Sequence, residues 1–177
     1  MQSYLDTAAH ELRRLKELGE RAIAQVPSGS LGVALDAESN SIAVIVKHLA
    51  GNMRSRWTDF LTADGEKPWR HRDQEFEARP GAGARETLAE WESGWACLLR
   101  ALAELRPEDL ARTVTIRGEP HTALEAIQRQ LAHHAYHVGQ IVLLARHLAG
   151  ASWRSLSIPR GESEQFNAAP ERYRGRP

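Results

Sequence analysis

Two histidines four residues apart, His133 and His137, stand in the run His133-His134-Ala135-Tyr136-His137-Val138-Gly139-Gln140. On an α-helix such residues lie one turn apart on the same face, so two imidazoles can be offered to one point in space. A helix supplies two nitrogen ligands to a metal ion in this way. His134 and His137, three apart, can converge too, and spacing alone leaves the first partner open. Eight histidines in 177 residues give about 0.36 pairs at spacing four by chance, so the pair needs a helix around it and a third ligand. It is not the zinc-protease signature, in which Glu directly follows the first His as general base; here that position is His134.

The surrounding sequence predicts the helix. Thr122 and Glu125 form a capping-box pattern, and Leu124, Ile127, Leu131, His134, Val138, Ile141, Ala145 and Leu148 make one stripe, ended by Gly150. His133 and His137 run along the edge of that stripe, beside Ala126, Gln130 and Leu144. Three more amphipathic helices are expected. The first covers Tyr4 to Val26, stopped by Pro27-Ser28-Gly29. The second runs from a cap at Asn40 or Ser41 to about Thr62, with Ile42, Ile45, Leu49, Met53, Trp57 and Phe60 inward. The third covers Ala84 to Arg106, with Leu88, Trp91, Trp95, Leu98, Leu102 and Leu105 inward. Between the second and third lies a long polar connection, Ala63 to Gly83, with Trp69 pinned against the body; loops of this length are often functional. Thr113 to Arg117 is β-prone and too short for more than an extended segment or half of a small ribbon. Trp153, Leu156, Ile158 and Phe166 dock the start of the C-terminal extension, while Arg172 to Pro177 are expected to be mobile. This is an all-α four-helix bundle over residues 1–150, with an extension over 151–177, and metal sites in such bundles use inward side chains of facing helices.

A catalytic zinc-type site takes about three protein ligands. Helix rise puts His147 about 15 Å from His137 along the axis and His121 about 18 Å from His133, too far to share an ion. His10, His48 and His71 remain. His71 lies in an arginine-flanked loop and His10 between Ala9 and Glu11; His48 alone is central in a strongly apolar helix, on a border continued by Asn52 and Arg56.

Other classes are disfavoured by composition. Lys+Arg and Asp+Glu are both 23, so no basic excess argues for nucleic acid. The single cysteine, Cys97, excludes an internal disulfide and reads as a small core residue. The opening Met1-Gln2-Ser3-Tyr4-Leu5-Asp6 has neither a basic nor an apolar leader region. The longest apolar run, 42–46, is far short of the ~20 residues of a membrane span. The expectation is a cytoplasmic protein with no membrane partner.

His48-Leu49-Ala50-Gly51-Asn52-Met53 on the second helix, followed by His133 and Tyr136-His137-Val138-Gly139-Gln140-Ile141 on the fourth, resembles the DinB/YfiT-like four-helix metalloproteins. That family carries a His on the second helix and a His-x3-His pair followed by x-Gly-Gln. The resemblance covers approximately residues 1–150. The stretches 64–69 and 155–167 resemble an uncharacterised branch of the family. The resemblance implies His48, His133 and His137 as ligands, selecting His133 over His134. It also implies a divalent metal, commonly zinc or nickel, and homodimers. Relatives include thiol S-transferases using low-molecular-weight thiols and a thiol-dependent isomerase; others are presumed hydrolases. The implied function is a metal-dependent enzyme on a small molecule, thiol S-transferase-like or hydrolase-like. The alternative is a non-catalytic, stress-related metal-binding dimer. No general base is evident: Glu125, Asp64, Glu66 and Asp73 all read as surface acids. Asn52 and Gln140 are candidates to accept the second ring N–H of His137. A tail folded back along the bundle would bring Arg160, with Ser157, to the mouth of the site or onto a partner subunit, where its planar fork suits a carboxylate or phosphate.

Overall fold

The ends of the helices explain their placement. The Ser41 hydroxyl accepts from the Val44 N–H at 3.3 Å and starts helix α2, Ile42–Trp57. Thr122 and Glu125 satisfy one another's backbone N–H groups at 3.2 and 2.7 Å and start α5, Ala123–Ala149. Gly150, at φ 54°, closes it. Helices α1, Gln2–Ile23, and α4, Ala84–Glu104, complete four long helices. The computed structural model describes residues 2–27, 29–78 and 83–169; the expected mobility of Arg172 to Pro177 and the Ser28 part of the first helix stop lie outside them.

The Tyr4 hydroxyl donates to the Leu124 carbonyl near the start of α1 and α5, and Gln25 pairs with Arg154 just past the end of both. These two helices therefore run in the same direction. Helix α2 runs against α5, since His48 meets His133 while Asn52 meets Gln130. The side chains of Leu12, Leu49, Met53, Trp91, Trp95 and Ile127 are wholly buried in the shared core. Between α2 and α4 the approach is close at Gly94. A Cβ there would lie 2.8 Å from the Ala50 Cα and 2.6 Å from the Met53 methyl, so the absence of a side chain lets the two helices touch.

Three expectations need correction. Helix α2 stops at Trp57 rather than continuing to Thr62: Thr58 is extended and Asp59 has φ 51°. Phe60 then turns back to stack on Trp57, with centroids 4.5 Å apart, so the apolar pattern continues without the helix. On α4, Thr87 takes the inward position and Leu88 is exposed. Trp69 is 53% exposed rather than pinned.

The long connection is held by polar anchors instead. The Ser55 hydroxyl donates to the Gly65 carbonyl and accepts from the Lys67 N–H, at 2.8 and 3.0 Å. A four-residue helix, α3, Arg72–Glu75, lies within it. The β-prone segment is one strand of an antiparallel hairpin, β1 Thr113–Ile116 with β2 Glu119–Thr122. The Asp64 carboxylate accepts from the Arg117 and Gly118 N–H groups at 2.9 and 2.8 Å, tying the hairpin tip to the loop. Burial pushes the Asp64 carboxyl up, but these donors and the Glu66 N–H outweigh it and bring it down to about 2. In the tail, Trp153 and Leu156 pack on the core, Phe166 is half-buried and Ile158 is exposed. Among the described residues no helix is long and apolar enough to cross a membrane.

Candidate metal centre

Helix α2 contributes His48 and α5 contributes His133 and His137, one turn apart. One ring nitrogen from each lies within 4.8 Å of the others. The rings meet edge to face, with centroids 4.7 Å apart for His133 and His137 and 5.0 Å for His48 and His137. His48 Nε2 and His133 Nε2 are 3.2 Å apart. Two nitrogens bound tetrahedrally at Zn–N distances of about 2.0–2.1 Å would be about 3.3 Å apart, so the spacing suits a shared divalent ion.

The outer nitrogens fix which inner ones are free. His48 Nδ1 lies 2.9 Å from Glu75 Oε2, and His137 Nδ1 lies 2.8 Å from Gln140 Oε1. A ring N–H donated outward leaves the Nε2 lone pair facing the cage. Burial pushes the His133 imidazole down to about 3, aided by repulsion from its neighbouring histidines and Arg56; burial also lowers His137. Both rings are therefore neutral at pH 7, the ligating form. His133 Nδ1 is buried without a hydrogen-bond partner among the described residues.

His134 faces the other way. It is wholly buried, edge-on to Trp95 at 4.8 Å, with Nδ1 placed to donate to the Gln130 carbonyl at 3.0 Å. It belongs to the core, as its position in the apolar stripe indicates. His10, His71 and His147 are exposed. Of the acceptor candidates for His137, Gln140 takes the role; Asn52 instead accepts from Gln130 Nε2 at 3.0 Å. Arg160 is exposed in the tail and does not line the cavity, so the structure does not bring it to the site. The tail is held at the far end of α1 by the paired bonds between Gln25 and Arg154.

Sequence reasoning missed Glu75. It is 6% exposed, at the end of α3. Arg70 grips it through Nε to Oε1 at 2.8 Å and Nη2 to Oε2 at 2.9 Å. Glu66 in turn accepts from Arg70 and Arg117 at 3.2 and 3.3 Å. Burial pushes the Glu75 carboxyl up, but the bonds from His48 and Arg70 win and hold it below its ordinary value. Gly51 makes room for it: a Cβ there would come within 2.1 Å of Glu75 Oε1. No periodicity links Glu75 to His48, 27 residues away, and only the length of the loop hinted at a role. Phe76, which follows, lays its ring 4.6 Å from that of His48.

The cage opens onto a cavity of about 380 Å³. Asp64, Glu66, Asp73 and Glu125 are absent from its walls. Asp64 ties the hairpin tip, Glu66 pairs with two arginines, Asp73 projects into solvent and Glu125 caps α5.

Three imidazoles from two antiparallel helices, one braced by a buried carboxylate, at the wall of an open cavity, define a helical protein with a candidate mononuclear metal centre. The chain belongs to the DUF1572 family, described as a protein of unknown function, whose profile matches residues 1–162. No curated protein matches the chain.

Proposed function

We propose that this chain is a divalent-metal-dependent enzyme of the DinB/YfiT-like type, its four long helices forming a bundle that holds zinc or nickel on His48, His133 and His137. The observation that carries this reading is the convergence of three ligand nitrogens within 4.8 Å at the wall of an open cavity. A metal held only for structure or storage would be enclosed by its ligands and would need no cavity beside it. An ion there supplies Lewis acidity, favouring the anion of a water or thiol at neutral pH. The protein's own residues do the rest. Glu75 and Gln140 hold the outer N–H groups of His48 and His137, orienting both rings. Phe76 and Tyr136 flank the cage, their rings 4.6 Å from His48 and 4.9 Å from His137. The activity that fits is thiol S-transferase-like, or hydrolase-like, on a small molecule, and the resemblance favours a homodimer.

The test is elemental analysis of dialysed protein, followed by a panel of small thiols and esters. One ion per chain is expected, lost in His48→Ala, His133→Ala and His137→Ala and kept in His134→Phe. Full stoichiometry in His133→Ala and His137→Ala would overturn the assignment.

A further inference from the structure

The walls of the cavity carry a charge pattern that the metal centre does not use. Arg56, Arg70, Arg72, Arg117 and Arg129 all line it, and no Asp or Glu does among the described residues. Three of these cations are already engaged. Arg70 is neutralised by Glu75 and Glu66, Arg117 leans on Glu66, and Arg72 lies 3.7 Å from Asp73 and over the Phe76 ring.

Arg56 and Arg129 are different. No carboxylate among the described residues lies within ion-pair distance of either, and Arg56 Nε is buried without a hydrogen-bond partner. Arg129, an exposed side chain on the cavity wall, lies 3.5 Å from His121. Burial, and then repulsion from Arg129 and Arg70, pushes the Arg56 guanidinium down to about 10. Arg56 is half-buried, and a partly desolvated guanidinium without a paired carboxylate carries a cost that a bound anion would offset.

The positions of the two are also informative. Arg56 lies eight residues beyond His48 on α2, about 12 Å along the axis, and Arg129 four residues before His133 on α5, about 6 Å. Because the helices are antiparallel, both fall on the same side of the cage, towards the end of the cavity walled by Ala126 and the hairpin tip.

Resting on the metal-dependent reading above, we propose that Arg56 and Arg129 form an anion subsite. It would hold the carboxylate or phosphate of a small-molecule substrate whose reacting atom lies at the three-histidine cage. The planar forks of two guanidinia suit either anion. The separation sets the substrate: a compact molecule with its anionic group on the order of 6–12 Å from the reacting atom. Glu66 and Glu75 hold Arg117 and Arg70 back from the anion, leaving the two unpaired arginines to bind it.

The probes are inorganic phosphate and succinate, titrated at constant ionic strength into metal-free and zinc-loaded protein and followed by calorimetry and thermal shift. Saturable binding of at least one is expected in both forms. It should weaken about tenfold or more in Arg56→Gln and in Arg129→Gln, the loss of one charge-assisted pair, and remain unchanged in Arg160→Gln. Preference for phosphate assigns a phosphorylated substrate and preference for succinate a carboxylate. Without either anion, Arg56→Gln should melt no lower than the unsubstituted protein, because a crowded cation has been removed. Anion binding that needs Arg56 and Arg129 in a protein that takes up no metal would sink the metal reading and leave the subsite standing. Binding only to the zinc-loaded form, binding indifferent to both substitutions, or no binding of either anion would overturn the subsite.

Discussion

Helix α2 presents two faces that follow opposite rules. Towards α4 it is dry and close: Ala50 and Met53 are wholly buried against Gly94, with no room for a methyl group. Towards α5 it carries His48, Asn52 and Arg56 at four-residue intervals and faces His133, His137 and Gln130 across a cavity. The dry face gains from burial and close packing. On the wet face partners are found for some buried polar groups, Glu75 for His48 and Gln130 for Asn52, while Arg56 Nε and His133 Nδ1 have none among the described residues. One helix thus separates stability from chemistry by about half a turn, and a substitution can be assigned to either side before it is made.

The sharpest way to break this comparison is to cut each side in turn. Trp95→Ala, on the dry side, should cost about 3–5 kcal/mol of unfolding free energy while leaving one ion per folded chain. His133→Ala, on the wet side, should leave the metal-free protein within about 1 kcal/mol of the original and abolish metal uptake. Urea unfolding after chelation, with elemental analysis beside it, measures both. A metal-free His133→Ala protein as damaged as Trp95→Ala would show that the histidine seam is structural.

The same division explains what could be read from the sequence. The dry side is periodic, and Leu49, Met53, Trp91, Trp95 and Ile127 follow from spacing alone. The border positions His48, Asn52 and Arg56 were legible for the same reason, as was the cap at Thr122. His133 and His134 could not be separated by spacing, because neighbouring residues on a helix differ by only 100° and either can reach His137. The helix end at Trp57 escaped because Phe60 kept the apolar rhythm while the backbone turned. Glu75 escaped because a loop has no period. Its place depends on Arg70, Gly51 and Ser55, three contacts made only after the chain has folded. Arg160 was drawn towards the site by an argument about apolar burial that held for Trp153 and Leu156. It did not hold for Ile158, which is exposed, and the Gln25–Arg154 pairing anchors the start of the tail at the end of α1, with Arg160 outside the cavity lining.

Two glycines of the molecule give a finer version of the comparison. Gly94→Ala drives a methyl into the Ala50 backbone and should cost about 1–3 kcal/mol through overpacking, with metal affinity in the surviving folded protein unchanged. Gly51→Ala meets the Glu75 carboxylate instead. Displacing it removes the acceptor of the His48 N–H, and metal affinity should fall about 10–100-fold. Competition with a chromogenic chelator reads that loss, and thermal melting reads the other. Equal effects of the two on affinity would mean that Glu75 does not orient the ring.

The smallest effect concerns protons. Burial holds His134 down to about 4 and His133 down to about 3, both below the usual value near 6.5. The folded state therefore favours the neutral rings, and their contribution to stability is complete above about pH 6.5. As pH falls below that value the unfolded chain takes up protons that the folded chain refuses, and stability declines until the folded values are reached. The slope for one such group is at most about 1.4 kcal/mol per pH unit. Chelator-treated protein should thus lose stability steadily from pH 6.5 to pH 4.5 in urea titrations. His134→Phe keeps an aromatic ring against Trp95 and removes one of the two refusing groups, so its decline should be shallower by up to that amount. His133→Ala should flatten the curve as well. Burial is the first cause for both rings, but repulsion from His134 also holds His133 down, so the two contributions should fall short of adding. A decline left unchanged by both substitutions would place the acid sensitivity elsewhere, in the loop carboxylates that brace the hairpin and Arg70.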